Sequence, residues 1–177
     1  MGLLSKRETI THTLEFGTGP AALFNTFTNP QHGNAIFGTK TFAIMQGKPQ
    51  APGNMLVRAV YDTAPLARHI PLLAGARELE ASLRIGLHVN PHRISSQASM
   101  NGIEQKSEIR FQPKGSGTLM TFESMYDVPL HLRGFAGGIR TLFSEKIVAA
   151  FTMLAELSAD GAALQRLQAG ALKAPRP

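Results

Sequence analysis

The chain contains no cysteine and no tryptophan, only 2 tyrosines, and no long unbroken apolar run. Without cysteine there can be no disulfide, no thiolate nucleophile and no cysteine-rich zinc site. The longest apolar region, residues 147–157, is interrupted by Thr152 and Glu156. It falls short of the roughly 18 to 20 apolar residues that a membrane-spanning helix needs. The opening "MGLLSKRET" has too short an apolar stretch for a signal peptide. Met1-Gly2 with Ser5 matches a myristoylation pattern only loosely. The expectation is a cytoplasmic protein with no stable membrane insertion. Acidic residues are also in short supply, 12 against 18 basic ones, for a net charge of +6. The Lys and Arg residues are scattered, with no run or helical stripe. Platforms for stacking bases would have to come from the 10 Phe residues, and these sit in apolar patterns. A solvated basic surface without a nucleic-acid partner is therefore expected.

What is present suits one domain. The 177 residues are 43% hydrophobic and 17% charged, enough apolar mass for a core. Residues 7–16 alternate, with Ile10, His12, Leu14 and Phe16 on one face, which predicts a half-buried strand. "GTGPAALFNTFTNPQH" (17–32) then predicts a short helix begun by Gly19 and Pro20 and stopped at Asn29-Pro30. Leu23 and Phe27 share one face of it, with Phe24 beside them. "QHGNAIFG" adds one helical turn. Strands are predicted at 39–46, 54–62, 80–89, 93–100, 104–112 and 118–128, with turns at "GKPQAPG", "NPH", Asn101-Gly102 and "PKGSG". Residues 63–78 carry Pro65 and Pro71 and read either as a short helix or as a lid-like loop. From Ile139 through Leu142, Phe143, Ile147, Ala150, Phe151 and Leu154 to Leu157 the period becomes helical for about five turns. Arg140, Lys146 and Glu156 are read as lying off that stripe, and Gly161 as an end or a weak point. Residues 1–167 form the expected domain, and 168–177 an expected disordered tail. The layout is α+β, one long helix packed on a curved antiparallel sheet of about six to seven strands.

This order resembles the helix-grip fold of the SRPBCC, or START-like, superfamily, in particular its polyketide cyclase/dehydrase branch. The signals are "ITHTLEF…PAALFNTFTNPQH", "LRIGLHVNPHRISSQAS", "SEIRFQPKGSGTLMTFESMYDVP" and the closing helix. Many members carry Trp just after the Asn-Pro stop, whereas the nearest aromatic here is Phe37. The resemblance implies a cavity between sheet and helix, plugged at one end by the short helices, that takes an apolar or aromatic small molecule. It implies either a cyclase/aromatase-like enzyme working by positioning and proton transfer, without metal or organic cofactor, or a non-catalytic carrier. A monomer or a homodimer fits equally.

No HExxH, P-loop or GxSxG motif is present. The six His residues (His12, His32, His69, His88, His92 and His131) form no spaced metal pair. Candidates for chemistry are therefore single residues. His12 is either a core histidine or a general acid/base. Arg84 and His88 alternate with Leu83, Ile85 and Leu87, so Arg84 is solvated if that face is convex and can bind an enolate or carboxylate if it is concave. Arg58 shares a face with Leu56 and Val60, and Tyr61 lies opposite with Val57 and Ala59. Glu123 and Tyr126 fall on opposite faces, so at most one points inward. Either tyrosine is a phenolic donor or a rim aromatic. His12, Arg84, Tyr61 and Glu123 are the catalytic candidates. The ligand-contact candidates are Leu23, Phe24, Phe27 and Phe37 of the plug, and Phe143, Ile147 and Phe151 of the long helix. Arg58 and Tyr126 join them, with His69 and Leu72 or Leu73 if residues 63–78 close as a lid.

Overall fold

The computed structural model describes residues 5–48, 51–89, 92–100 and 102–170. Of the tail expected at 168–177, Gln168 ends the last helix and residues 171–177 lie outside the described residues, as do the turn residues Asn90 and Asn101. The alternating segments form seven strands: β1 (Ser5–Phe16), β2 (Thr41–Gln46), β3 (Gly53–Asp62), β4 (Glu78–Val89), β5 (His92–Met100), β6 (Ile103–Lys114) and β7 (Gly117–Pro129). They make one curved antiparallel sheet in the order β1-β7-β6-β5-β4-β3-β2. Strands from β2 onward pair with their neighbours in sequence. β1 instead crosses the chain to lie on β7, with Ile10 opposite Ser124 and Phe16 opposite Thr118.

Two short helices follow β1: α1 (Pro20–Thr28) and α2 (Gly33–Phe37), joined by a 3-10 turn at Pro30–His32. Pro30 bars the helical conformation at Asn29, which is extended with φ −67° and ψ 119°. The Asn29 side chain then accepts from the Gln31 N–H at 3.0 Å, so the residue that ends α1 also starts the next turn. α2 closes on Gly38 at φ 59°, a left-handed position where glycine carries no Cβ penalty.

Residues 63–78 are partly helix and partly strap. α3 (Thr63–Ala67) is capped by Asp62, whose side chain accepts from the Ala64 N–H at 3.0 Å. A 3-10 turn at Pro71–Leu73 follows, and the Thr63 hydroxyl donates to the Ala76 carbonyl across the base.

The C-terminal stripe is α4 (Ala136–Leu157), 22 residues long, followed by α5 (Gly161–Gln168). The break comes at Ala159, which turns left-handed at φ 52°. Gly161 thus opens a new helix, whose first N–H groups Asp160 caps by accepting from Ala163 at 3.0 Å. The other Asp160 oxygen accepts from the Gly17 N–H at 2.5 Å and the Thr18 N–H at 3.2 Å. Burial opposes ionisation of this carboxyl, but the three backbone N–H groups and the Arg166 charge outweigh it and hold its pKa below the ordinary range.

The core lies between the concave face of the sheet and α4. Ile10, Leu23, Met120, Ile139 and Leu154 are wholly inaccessible. Each such side chain contributes about 1.5–3 kcal/mol by leaving water. The face left open by alternation is now settled. Met55, Val57 and Ala59 of β3 and Leu83, Ile85 and Leu87 of β4 point inward, so Arg58 and Arg84 point out.

Candidate functional site

A bent sheet and a straight helix do not fill all the space between them. The unfilled part here is a cavity of two lobes, about 150 Å³ and about 70 Å³. Phe27 of α1, Phe37 of α2, Leu83 of β4 and Phe122 of β7 border both lobes. The plug supplies aromatic edges: Phe27 meets Phe37 at 5.7 Å between centroids, and Phe37 stacks on Phe42 at 5.0 Å and 2°. α4 closes the larger lobe with Phe143, Ile147 and Phe151.

Few polar groups interrupt this lining. Ser96 and Ser107 stand opposite each other on β5 and β6, hydrogen-bonded at 2.6 Å, and touch both lobes. Gln105 donates to the Ser124 hydroxyl at 2.9 Å. Tyr61 and Lys146 share one end of the larger lobe, the ammonium 5.5 Å from the ring centroid. Lys146 also donates to the Gly38 carbonyl at 3.5 Å. Burial pushes the Tyr61 phenol up to about 12, so it stays a protonated donor at neutral pH. Burial moves Lys146 the other way, lowering its pKa. Together these groups can orient a carbonyl or an anion at one end of an apolar ligand.

No protein-family model matches the chain, and no curated protein matches it. Solved structures do. The Zhui aromatase/cyclase from Streptomyces sp. R1128 superposes with a TM-score of 0.67 at 13% identity, over 93% of this chain and 98% of that one. Ara h 8.0201 gives 0.64 at 8% identity, over 88% and 100%. Norcoclaurine synthase from Thalictrum flavum, in complex with dopamine and hydroxybenzaldehyde, gives 0.63 at 12% identity, over 89% of each chain. This chain is a helix-grip fold.

The helix-grip geometry sorts the candidates read from the sequence. Phe27, Phe37, Tyr61, Phe143, Ile147 and Phe151 line the larger lobe. Leu23 and Phe24 are buried but off its wall, with Phe24 edge-on to Phe111 at 5.7 Å and 5.1 Å from the His92 ring. Tyr126 is buried on the inner face, 4.7 Å from Phe143 and likewise off the wall. Its hydroxyl has no hydrogen-bond partner among the described residues, and burial, with the Glu8 charge, pushes its pKa up to about 12. His69 is held at 2.9 Å by Glu145 outside the cavity. The strap sends Leu66 into the lobe instead, while Leu73 is buried off the wall. The side chain of Leu72 lies outside the described residues.

Three charged candidates stand on the outer face, because strict alternation sends their neighbours in. Arg58 pairs with Glu80 at 2.6 Å. Arg84 is exposed between Leu56 and Gln97 on the adjacent strands. Glu123 accepts from Arg110 at 3.3 Å, while Phe122 and Ser124 beside it face inward. His12 is on the inner face and 2% exposed, yet on the wall of neither lobe. Neither ring nitrogen has a partner among the described residues, and burial lowers its pKa. The sequence reading passed over Ser96, Gln105, Ser107 and, above all, Lys146. The signal for Lys146 was there: it lies four residues from both Leu142 and Ala150, which line the same lobe.

Proposed function

We propose that the protein binds a small apolar or aromatic molecule in the two-lobed cavity. The observation that carries this is the cavity itself, walled mainly by aromatic and aliphatic side chains, with a serine pair, a glutamine and the Tyr61–Lys146 end as the polar groups of the larger lobe and Thr28 and Asn29 added at the smaller one. About 150 Å³ of apolar space suffices for a benzene-sized occupant. The larger lobe therefore suits one ring, and a fused pair or a longer molecule would extend into the second lobe. The likeness to a norcoclaurine synthase solved with dopamine and hydroxybenzaldehyde supports occupants of that size.

A second reading is a cyclase- or aromatase-like enzyme that positions a carbonyl compound and moves a proton. It is favoured by the fold shared with an aromatase/cyclase and by a protonated phenol beside an amine at one end of the lobe. In that reading Tyr61 donates to the carbonyl oxygen and Lys146 stabilises the charge that develops there. The carrier reading needs neither step.

The test is to fill the space. Ala98 lines the larger lobe, and Ala98→Leu places an isobutyl group within it. Wild type is expected to bind 2-methoxynaphthalene saturably, followed by ligand fluorescence. Ala98→Leu is expected to weaken binding at least tenfold while the melting temperature holds. Unchanged affinity in that variant would remove the cavity as the binding site.

A further inference from the structure

Lys146 is a cation set in an apolar wall, with no acidic partner among the described residues. It enters the larger lobe from the middle of α4, with Leu142 and Ala150 one turn away on either side and Phe143 and Ile147 flanking them. Its neighbours are the Gly38 carbonyl at 3.5 Å and the Tyr61 ring at 5.5 Å. Among the described residues no carboxylate lies within ion-pair distance of it. Glu145, adjacent in sequence, is turned to His69 at 2.9 Å. Other cations of the molecule have found acids: Lys40 pairs with Glu78, Arg58 with Glu80, Arg7 with Asp127 and Lys114 with Glu15.

A partly desolvated ammonium is unfavourable until a counter-charge or a full set of acceptors meets it. One long carbonyl contact and one ring face supply only part of that, and the lowered pKa of Lys146 has the same cause. The surroundings leave the ammonium room to turn toward a ligand. A Cβ on Gly38 would come within 3.2 Å of Nζ, so glycine at this left-handed position also clears space for the lysine head. The other polar groups of the lobe, Ser96, Ser107 and Gln105, are neutral and add no negative charge to repel an anion.

We infer that Lys146 is the docking point for an acidic group on the ligand, so that the cavity selects a small aromatic or apolar carboxylate over its neutral counterparts. The inference rests on the cavity being the ligand site. The carboxylate takes the ammonium as its partner and the Tyr61 hydroxyl as a second donor at the same end, and its ring occupies the apolar lobe. Such a charge-assisted contact is worth about tenfold or more in affinity.

The experiment compares 2-naphthoate with 2-naphthamide, matched in size and differing in charge, by calorimetry at pH 7. Wild type is expected to bind the acid at least tenfold more tightly than the amide. Lys146→Met and Lys146→Gln are expected to bring the two ligands within about twofold, through loss of affinity for the acid, with far-UV circular dichroism and the melting temperature showing that both variants are folded. Equal binding of acid and amide by wild type overturns the inference and leaves the cavity reading intact. A preference for the acid that survives both substitutions overturns it as well. Failure of wild type to bind either ligand overturns the inference together with the cavity reading.

Discussion

At the scale of single residues, His12 shows how far alternation carries. The pattern Ile10, His12, Leu14, Phe16 placed it on the inner face, where it is 2% exposed opposite Phe122 of β7. Alternation gives the face but not the position along the concave surface, and the cavity begins farther across the sheet. Its titration has a direction. Burial lowers the folded pKa below the ordinary 6.5, so the folded protein keeps the ring neutral while the unfolded chain takes up a proton. The stability is full above about pH 6.5 and declines as pH falls toward the lowered folded value. Urea midpoints at pH 8 and pH 5 are expected to show that decline in wild type. His12→Leu is expected to reduce it, because the replacement has nothing to protonate. Arg84 and Glu123 carry the converse lesson: a charge amid apolar neighbours in a strand sits on the far side of the sheet from them.

At the scale of elements, the long helix was legible by its period, but its details were not. Lys146 reads as lying largely off the apolar stripe because that stripe is drawn through apolar residues only. Its spacing from Leu142 and Ala150 places it at the edge of that stripe, and the structure puts it on the cavity wall. The break after Leu157 was legible only through Gly161, read as an end or a weak point, because apolar residues continue at helical spacing into α5. The turn depends on Ala159 and on the cap from Asp160. Gly137 and Gly138 lie in the first turn of α4. A Cβ on Gly138 would come within 2.3 Å of the His69 carbonyl, so the glycine lets the strap lie directly on the helix. Two glycines there weaken the helix locally by about 1 kcal/mol each relative to alanine. Gly138→Ala is nevertheless expected to destabilise by roughly 1–3 kcal/mol, since the backbone carbonyl cannot move aside freely. Thermal melting checks the sign, and a more stable variant would show that the strap is not held by this contact.

At the scale of the whole molecule, the order of strands and helices was enough to anticipate the architecture. The cavity was expected only from resemblance. No local pattern encodes a void, which arises from how a curved sheet fails to meet a straight helix. The long-range clasp was also unreadable. Asp160 bonds the backbone at Gly17 and Thr18 while capping α5, and Arg166 of α5 donates to the Glu15 carbonyl at 2.6 Å. Asp160→Ala removes the cap and leaves the buried Ala163 N–H and the part-buried Gly17 and Thr18 N–H groups without this partner, at an expected cost of roughly 1–3 kcal/mol. Denaturant unfolding measures it, and a change below a few tenths of a kcal/mol would mean that water replaces the carboxylate. The crossing of β1 to β7 has a further consequence during synthesis. Ile10 meets Ser124, so β1 cannot pair until more than a hundred further residues have been made. At about 5–20 residues per second, the first strand waits on the order of 5 to 20 seconds as an unpaired amphipathic ribbon. The polar Thr9, Thr11, Thr13 and Glu15 along its other side are then what keeps the nascent chain from finding the wrong neighbour.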